Sequence, residues 1–509
     1  MKYLTQALSW REINSSHRLM TLIIITLGVL NFFGEIVPAG GGFGWDGVTY
    51  ANITRNLQSM ISEGQLSNYY AQRILPSTVV RTMILLSSAS FSDINIIRGF
   101  ECYNLVLLIG ASWIWKRLAD NFSISLGGRW LGFCGLFLNY MASKHIFYSP
   151  VTTDLTALFV SLLALLFYVE RRPVALLATI IVGAFAWQIV SICGALLLIF
   201  PRTSFPVEVI TPATSTYTIF SVKISRLIKF GWIALLILSI VGVVYLTQGD
   251  KDITIWRNST LVSTICNLLT GLPSLVGVIL ALFMLTGNGN VLFFRSAVTN
   301  LCKNPLILFV LAIIALLIPW IIVRGISNPS VLDPSGFMLV LRLLLFPPNG
   351  KFLLPLLALV ALWGPIVLLL LLHWKEFCIE ARKLGPGFVA VIGLNLPLGL
   401  VAESRFVTFA WPFFVLGAVL VMESRAKSTA FKFAFAVLTI LYAQFWMKIN
   451  LAPWTGSDYE HLLDFPKQVF FMHYGLWMNW WSYSLQFCVI VLSVFWLRST
   501  MLPVKAKVV

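Results

Sequence analysis

Asp46 lies in Gly40-Gly-Gly-Phe-Gly-Trp-Asp-Gly-Val-Thr-Tyr50, a polar, glycine-rich stretch that follows the first hydrophobic run. Glycine admits backbone conformations closed to other residues, so such a loop can approach a bound group closely. Trp45 and Tyr50 offer flat faces to a sugar or a lipid. A carboxylate placed there is a candidate general base. The competing reading is a turn in which Asp46 only starts the helix from Val48 onward, since Asp is a good helix N-cap. A second acid, Asp154, falls in the first turn of another apolar run, near the positive end of its dipole. It reads either as a substrate ligand or as an ordinary helix-start carboxylate.

Glu403 and Arg405 interrupt two adjacent apolar runs within Val401-Ala-Glu-Ser-Arg-Phe-Val-Thr-Phe-Ala-Trp-Pro412. Ionised groups are costly in hydrocarbon unless they pair or face water. Arginine suits a phosphate because its planar fork donates two hydrogen bonds at once. The alternative is a turn in which Glu403 and Arg405 simply pair with each other. Lys144 and His145 read more readily as interface anchors than as phosphate ligands.

These residues sit in a chain of 509 residues that is 58% hydrophobic and only 11% charged, with a mean hydropathy of +0.87. Soluble domains carry roughly 25% charged residues. The fold expected is therefore all-α, a polytopic transmembrane helical bundle forming one integral membrane domain over 1 to 509. About 13 apolar segments approach the ~20 residues needed to cross a bilayer: 19 to 38, 96 to 115, 131 to 148, 151 to 169, 174 to 200, 231 to 247, 261 to 285, 305 to 323, 352 to 373, 387 to 401, 406 to 423, 432 to 450 and 483 to 500. The first has no small-residue cleavage site after it and reads as a retained signal anchor.

Lys and Arg concentrate in loops that stay in the cytoplasm. Placing both termini there puts the loops at 116 to 130, 170 to 173, 201 to 230, 286 to 304, 374 to 386 and 424 to 432 on the same side, and these inner segments hold most of the basic residues. The positive excess is thus a matter of membrane orientation and not of nucleic-acid affinity. The alternation works only if 174 to 200 crosses twice or turns back, so a broken, re-entrant hairpin is predicted near Gly183 to Gln188, where the freed backbone must be buried in protein or line a cavity. The alternative is a single long tilted helix with one other span miscounted. Residues 39 to 95 form the first external loop, with interfacial helices over 51 to 61 and 76 to 90. An aromatic-rich external loop spans 451 to 482. The cysteines suggest neither a disulfide framework nor a metal site.

Four motifs in order resemble the GT-C superfamily of integral membrane glycosyltransferases, which take sugars from polyprenyl-phosphate donors. They are Asp46-Gly47-Val48-Thr49-Tyr50, Arg73-Ile74-Leu75-Pro76, Thr153-Asp154, and Glu403 with Arg405 and downstream Pro412. Many relatives carry Arg-Glu where this chain has Trp187-Gln188. The resemblance implies a transferase of the extracytoplasmic side, in a setting such as a bacterial inner membrane, moving a sugar from a polyprenyl-phosphate-linked donor to a lipid, glycan or protein acceptor among the membrane lipids. It implies Asp46 as the base, Arg405 and Arg73 facing the leaving phosphate, and Asp154, Glu403, Trp45 and Tyr50 contacting substrate. No cofactor follows from the sequence, although a divalent cation would find hard oxygen ligands in Asp154 and Glu403. The rival readings are a transporter or flippase for a lipid-linked sugar and a noncatalytic membrane assembly partner. Transporters favour ionisable groups near the bilayer midplane and internal repeats, whereas the charges here map to outer helix ends.

Overall fold

The computed structural model describes residues 2–202, 274–286, 306–331, 351–401, 403–423, 425, 428–450, 478 and 480–501. Among them the chain is all-helical apart from turns and one isolated bridge residue. The helices are α1 (Lys2–Phe32), α2 (Trp45–Ser62), α3 (Asn68–Ala71), α4 (Leu75–Leu86), α5 (Asp93–Asn121), α6 (Leu126–Phe137), α7 (Ile146–Tyr148), α8 (Asp154–Val169), α9 (Pro173–Gly183) and α10 (Ile189–Ile199). They continue with α11 (Ser274–Leu285), α12 (Leu306–Ile326), α13 (Leu354–Trp363), α14 (Pro365–Leu372), α15 (Trp374–Lys383), α16 (Pro386–Asn395), α17 (Trp411–Glu423), α18 (Thr429–Ala443) and α19 (Trp480–Thr500). Among the described residues four stretches are long and apolar enough to cross a membrane: Glu12–Phe32, Asp93–Asn121, Leu306–Ile326 and Trp480–Thr500. The apolar run at 231 to 247, the first part of 261 to 285 and most of the aromatic loop at 451 to 482 lie outside the described residues.

Several runs expected as single spans are broken, for reasons visible in the side chains. The run at 131 to 148 stops at Phe137 and re-forms as a π turn, Met141–His145, followed by α7. Asn139 stabilises this unwinding: its amide donates to the Gly135 carbonyl at 2.8 Å while its side-chain oxygen accepts from the Ala142 N–H at 2.9 Å. The run at 352 to 373 breaks between α13 and α14, where Gly364 has φ 73° and Pro365 offers no N–H to continue the ladder. The run at 406 to 423 becomes helical only at Trp411, leaving 403 to 410 as a 3₁₀ turn and bend.

The break predicted in 174 to 200 is present. α9 ends at Gly183, α10 begins at Ile189, and the two pack on each other as a hairpin. The carbonyl of Phe185, freed at the corner, accepts from the Leu75 N–H at 2.9 Å. The corner is therefore docked on the segment that opens α4.

α5 and α8 run side by side in the same direction, joined by the Tyr103 and Thr156 hydroxyls at 3.0 Å near one end and by Arg117 and Glu170 at 2.8 Å near the other. Ser125 donates to Glu423 at 2.7 Å and Arg425 to Glu376 at 2.7 Å. The segments 116 to 130, 170 to 173 and 374 to 386 and the described part of 424 to 432, assigned to one side from their charge, thus neighbour one another at one end of the bundle. Asp46, Asp154 and Arg405 gather at the other. Between them lies an apolar core that includes Trp115, Phe133, Phe137, Trp363 and Trp411, all nearly fully buried. Helices 51 to 61 and 76 to 90 of the first loop are realised as α2 and α4, which pack on each other and on α5.

Candidate functional site

Asp46 enters the site through the glycine loop. Gly44 caps α2 with φ 77° and ψ −164°, a conformation that side-chain-bearing residues rarely adopt. The helix therefore starts at Trp45, and Asp46 lies within its first turn instead of capping a helix that begins at Val48. Gly47 faces the strand of chain before α8 so closely that a Cβ there would stand 3.0 Å from the Val151 carbonyl oxygen. This contact sets the N-terminus of α2 against that of α8, which carries Asp154 in its own first turn. Two carboxylates thus sit at two abutting helix N-termini, each favoured there by the helix dipole by about 0.3–1 kcal/mol.

Arg405 comes from the opposite part of the sequence, on the 3₁₀ turn Ser404–Val407. Three hydrogen bonds fix that turn. Trp363 Nε1 donates to the Ser404 carbonyl at 3.1 Å, the Ser161 hydroxyl donates to the Phe409 carbonyl, and Trp411 Nε1 donates to the Gly135 carbonyl at 2.8 Å. Trp363 and Trp411 also stack, with centroids 4.6 Å apart. From this support the Arg405 guanidinium meets three carboxylates. Its Nε donates to Glu403 Oε2 at 3.1 Å, Nη2 is 3.6 Å from Asp46 Oδ2, and Nη1 is 3.9 Å from Asp154 Oδ2. Only the first is a hydrogen bond; the other two are ion pairs beyond hydrogen-bond length. Asp154 is 1% exposed, whereas the Asp46 side chain is 32% exposed and open to an arriving molecule.

Arg73 follows α3 and is 5% exposed. Among the described residues no carboxylate lies within 4 Å of it, and its Nε has no hydrogen-bond acceptor. Its nearest polar partner is the Tyr50 hydroxyl, 3.5 Å from Nη1. Its faces are covered by aromatic rings, Tyr69 at 4.0 Å and Trp187 at 4.5 Å from the guanidinium carbon. Burial pushes the Tyr50 hydroxyl up to about 12, so at neutral pH it stays protonated, accepts from Arg73 as a neutral group and gives it no counter-charge. A buried cation without a carboxylate is expensive in a dry site and is relieved by an arriving anion.

The structure therefore brings together Asp46, Tyr50, Arg73, Asp154, Glu403 and Arg405, read from four separate stretches of sequence. Trp45 lies at the rim, 39% exposed. The paired Glu403–Arg405 turn is real, yet it does not exhaust Arg405, which also faces both aspartates. Lys144 is engaged elsewhere: its Nζ meets Glu35 at 2.9 Å and donates to the Met447 carbonyl at 2.6 Å. Tyr69 was not singled out by sequence; its signal is an aromatic residue four positions before Arg73 on the turn that carries it. Among the described residues no group of three or more His, Cys, Asp or Glu side chains is arranged to hold a metal ion. The three site carboxylates are centred on a guanidinium, the position a cation would take. No family model, curated protein or solved structure matches the chain.

Proposed function

We propose that this chain is a multi-pass membrane glycosyltransferase of the GT-C kind, moving a sugar from a polyprenyl-phosphate donor to a lipid, glycan or protein acceptor. The reading places about 13 apolar segments in the membrane, both termini in the cytoplasm, and the site on the extracytoplasmic side of a membrane such as the bacterial inner one. One observation carries it: a partly exposed carboxylate, Asp46, stands 3.6 Å from a guanidinium, while a second guanidinium, with no carboxylate within 4 Å among the described residues, lies buried beyond Tyr50. A base beside cations is what displacement at a sugar-phosphate bond requires.

In this mechanism an acceptor hydroxyl attacks the anomeric carbon as its proton passes to Asp46. The bond from that carbon to the phosphate oxygen breaks, and the electron pair leaves with the polyprenyl phosphate. Arg405 and Arg73 stabilise the departing charge. The phosphate exchanges with the 3.6 and 3.9 Å ion pairs of Arg405, while Glu403 keeps its hydrogen bond and holds the guanidinium in place. Asp154, Trp45 and Tyr50 shape the acceptor and sugar subsites. A general base contributes typically about 10²- to 10⁴-fold, and preorganised cations add a term of similar size.

The test is to incubate the purified chain with labelled polyprenyl-phosphate sugars and extracted membrane lipids or glycans. Wild type is expected to release polyprenyl phosphate and label an acceptor. Asp46→Asn is expected to keep donor binding and lose turnover by roughly 10² or more. Full transfer by Asp46→Asn removes the residue from the mechanism, and donor crossing a vesicle bilayer without transfer favours a flippase instead.

A further inference from the structure

The corner between α9 and α10 has a use that its backbone alone does not explain. Trp187, on that corner, is 5% exposed, whereas Gln188 beside it is exposed. The indole lies over the Arg73 guanidinium at 4.5 Å. The same ring meets Phe406 edge-on, with centroids 6.5 Å apart, and Phe406 follows Arg405 directly in the chain. One side chain therefore touches both cation-bearing segments, which lie more than three hundred residues apart in sequence. The backbone reinforces this junction through the Leu75 N–H donating to the Phe185 carbonyl two residues before Trp187.

Arg73 has little else to fix it. Among the described residues its one side-chain polar bond, to Tyr50, is 3.5 Å long, and no carboxylate is within 4 Å. An arginine side chain is rich in rotamers and costs entropy to immobilise. Two aromatic faces at 4.0 and 4.5 Å replace the missing ionic clamp, because a desolvated guanidinium over a ring is held by the ring quadrupole without being neutralised. A carboxylate at the Trp187 position would fix Arg73 equally well but would cancel the charge that an anion needs.

We infer that Trp187 is a positioning residue for anion binding: it holds Arg73 charged and in register with the Arg405 turn, so that both guanidiniums meet one phosphate group. The inference rests on the transferase reading for the identity of that phosphate, a polyprenyl phosphate. The hairpin corner is then part of the site's construction and not only a consequence of fitting 174 to 200 into the fold.

The experiment measures binding of polyprenyl phosphate to the full chain in nanodiscs, for wild type, Trp187→Leu, Trp187→Phe, Arg73→Gln and the Trp187→Leu/Arg73→Gln double variant. Leucine keeps apolar bulk and removes the ring face, whereas phenylalanine keeps a face. Trp187→Leu is expected to weaken binding about 10-fold, and Trp187→Phe to stay within about threefold of wild type. In the Arg73→Gln background, Trp187→Leu is expected to cause no further loss, because its effect passes through Arg73. A merely structural tryptophan gives losses that multiply with those of Arg73→Gln, and phenylalanine then fares no better than leucine; either result overturns the inference. If Trp187→Leu does not fold, Trp187→Met removes the same face with a side chain that fills irregular space. Wild-type binding left undiminished by loss of the ring overturns only the role of Trp187. Failure of wild type itself to bind polyprenyl phosphate overturns the transferase reading and this inference with it.

Discussion

Two clusters of charge lie at the same end of the bundle and are built in opposite ways. In one, Glu35 accepts from the Ile449 and Asn450 N–H groups at 2.5 and 2.8 Å and meets Lys144 at 2.9 Å, while Lys144 also donates to the Met447 carbonyl. Each charge is close to its partners, and the bonds fix the chain after α18 onto the π turn after α6. In the other, Arg405 donates to Glu403 at 3.1 Å but stands 3.6 and 3.9 Å from two aspartates, and Arg73 has no carboxylate within 4 Å among the described residues. Short, mutually satisfying contacts are spent on architecture. Long or absent ones leave charge for something that arrives.

The largest effect that would sharpen this contrast is the loss of about 10²- to 10⁴-fold in turnover expected for Asp46→Asn, with little change in thermal unfolding. Lys144→Met is expected to do the reverse. Removing one partner from a buried pair costs about 3–5 kcal/mol, so its unfolding transition should fall well below that of wild type while donor affinity in the folded fraction holds. Intact stability combined with lost donor binding in Lys144→Met would break the comparison and move that lysine into the site.

A smaller effect separates the two members of the 403 to 405 turn. Arg405→Ala removes a charge-assisted contact worth about 1.5–3 kcal/mol, so donor binding should weaken roughly 10- to 100-fold by that figure. Glu403→Ala removes one anchor of the guanidinium but keeps its charge, and should change binding far less. Equal, small losses in titration of both variants with polyprenyl phosphate would reduce the turn to a structural one.

The smallest effect is expected at Gly47. A methyl group there would stand 3.0 Å from the Val151 carbonyl oxygen, so the N-termini of α2 and α8 must give by a few tenths of an ångström. Overpacking of this sort costs about 1–3 kcal/mol. Gly47→Ala should lower turnover by displacing Asp46 while sparing donor binding, which rests on Arg73 and Arg405. Steady-state kinetics alongside donor titration would show it, and a loss confined to donor binding would contradict the proposed division of labour.

The candidate residues were legible in the sequence because ionised groups are rare in a chain that is 58% hydrophobic and each exception invites a reason. The hairpin in 174 to 200 was legible from charge: basic residues before and after it oblige the chain to return. The breaks within 131 to 148 and 352 to 373 were harder to read, since an apolar run looks the same whether or not an asparagine amide unwinds it or a Gly-Pro pair interrupts its ladder.

Composition and periodicity by themselves determined an all-helical chain with segments able to cross a membrane, because hydropathy and basic-residue placement are properties of local stretches. Only the tertiary structure decided that Lys144 serves Glu35 while Arg405 serves both aspartates. It alone put the ring of Trp187, at first sight a mere replacement of charge, within 4.5 Å of the Arg73 guanidinium. Those outcomes depend on distances between residues up to several hundred positions apart, and a charge acquires its role from the partner it meets across such a distance, which no local pattern encodes.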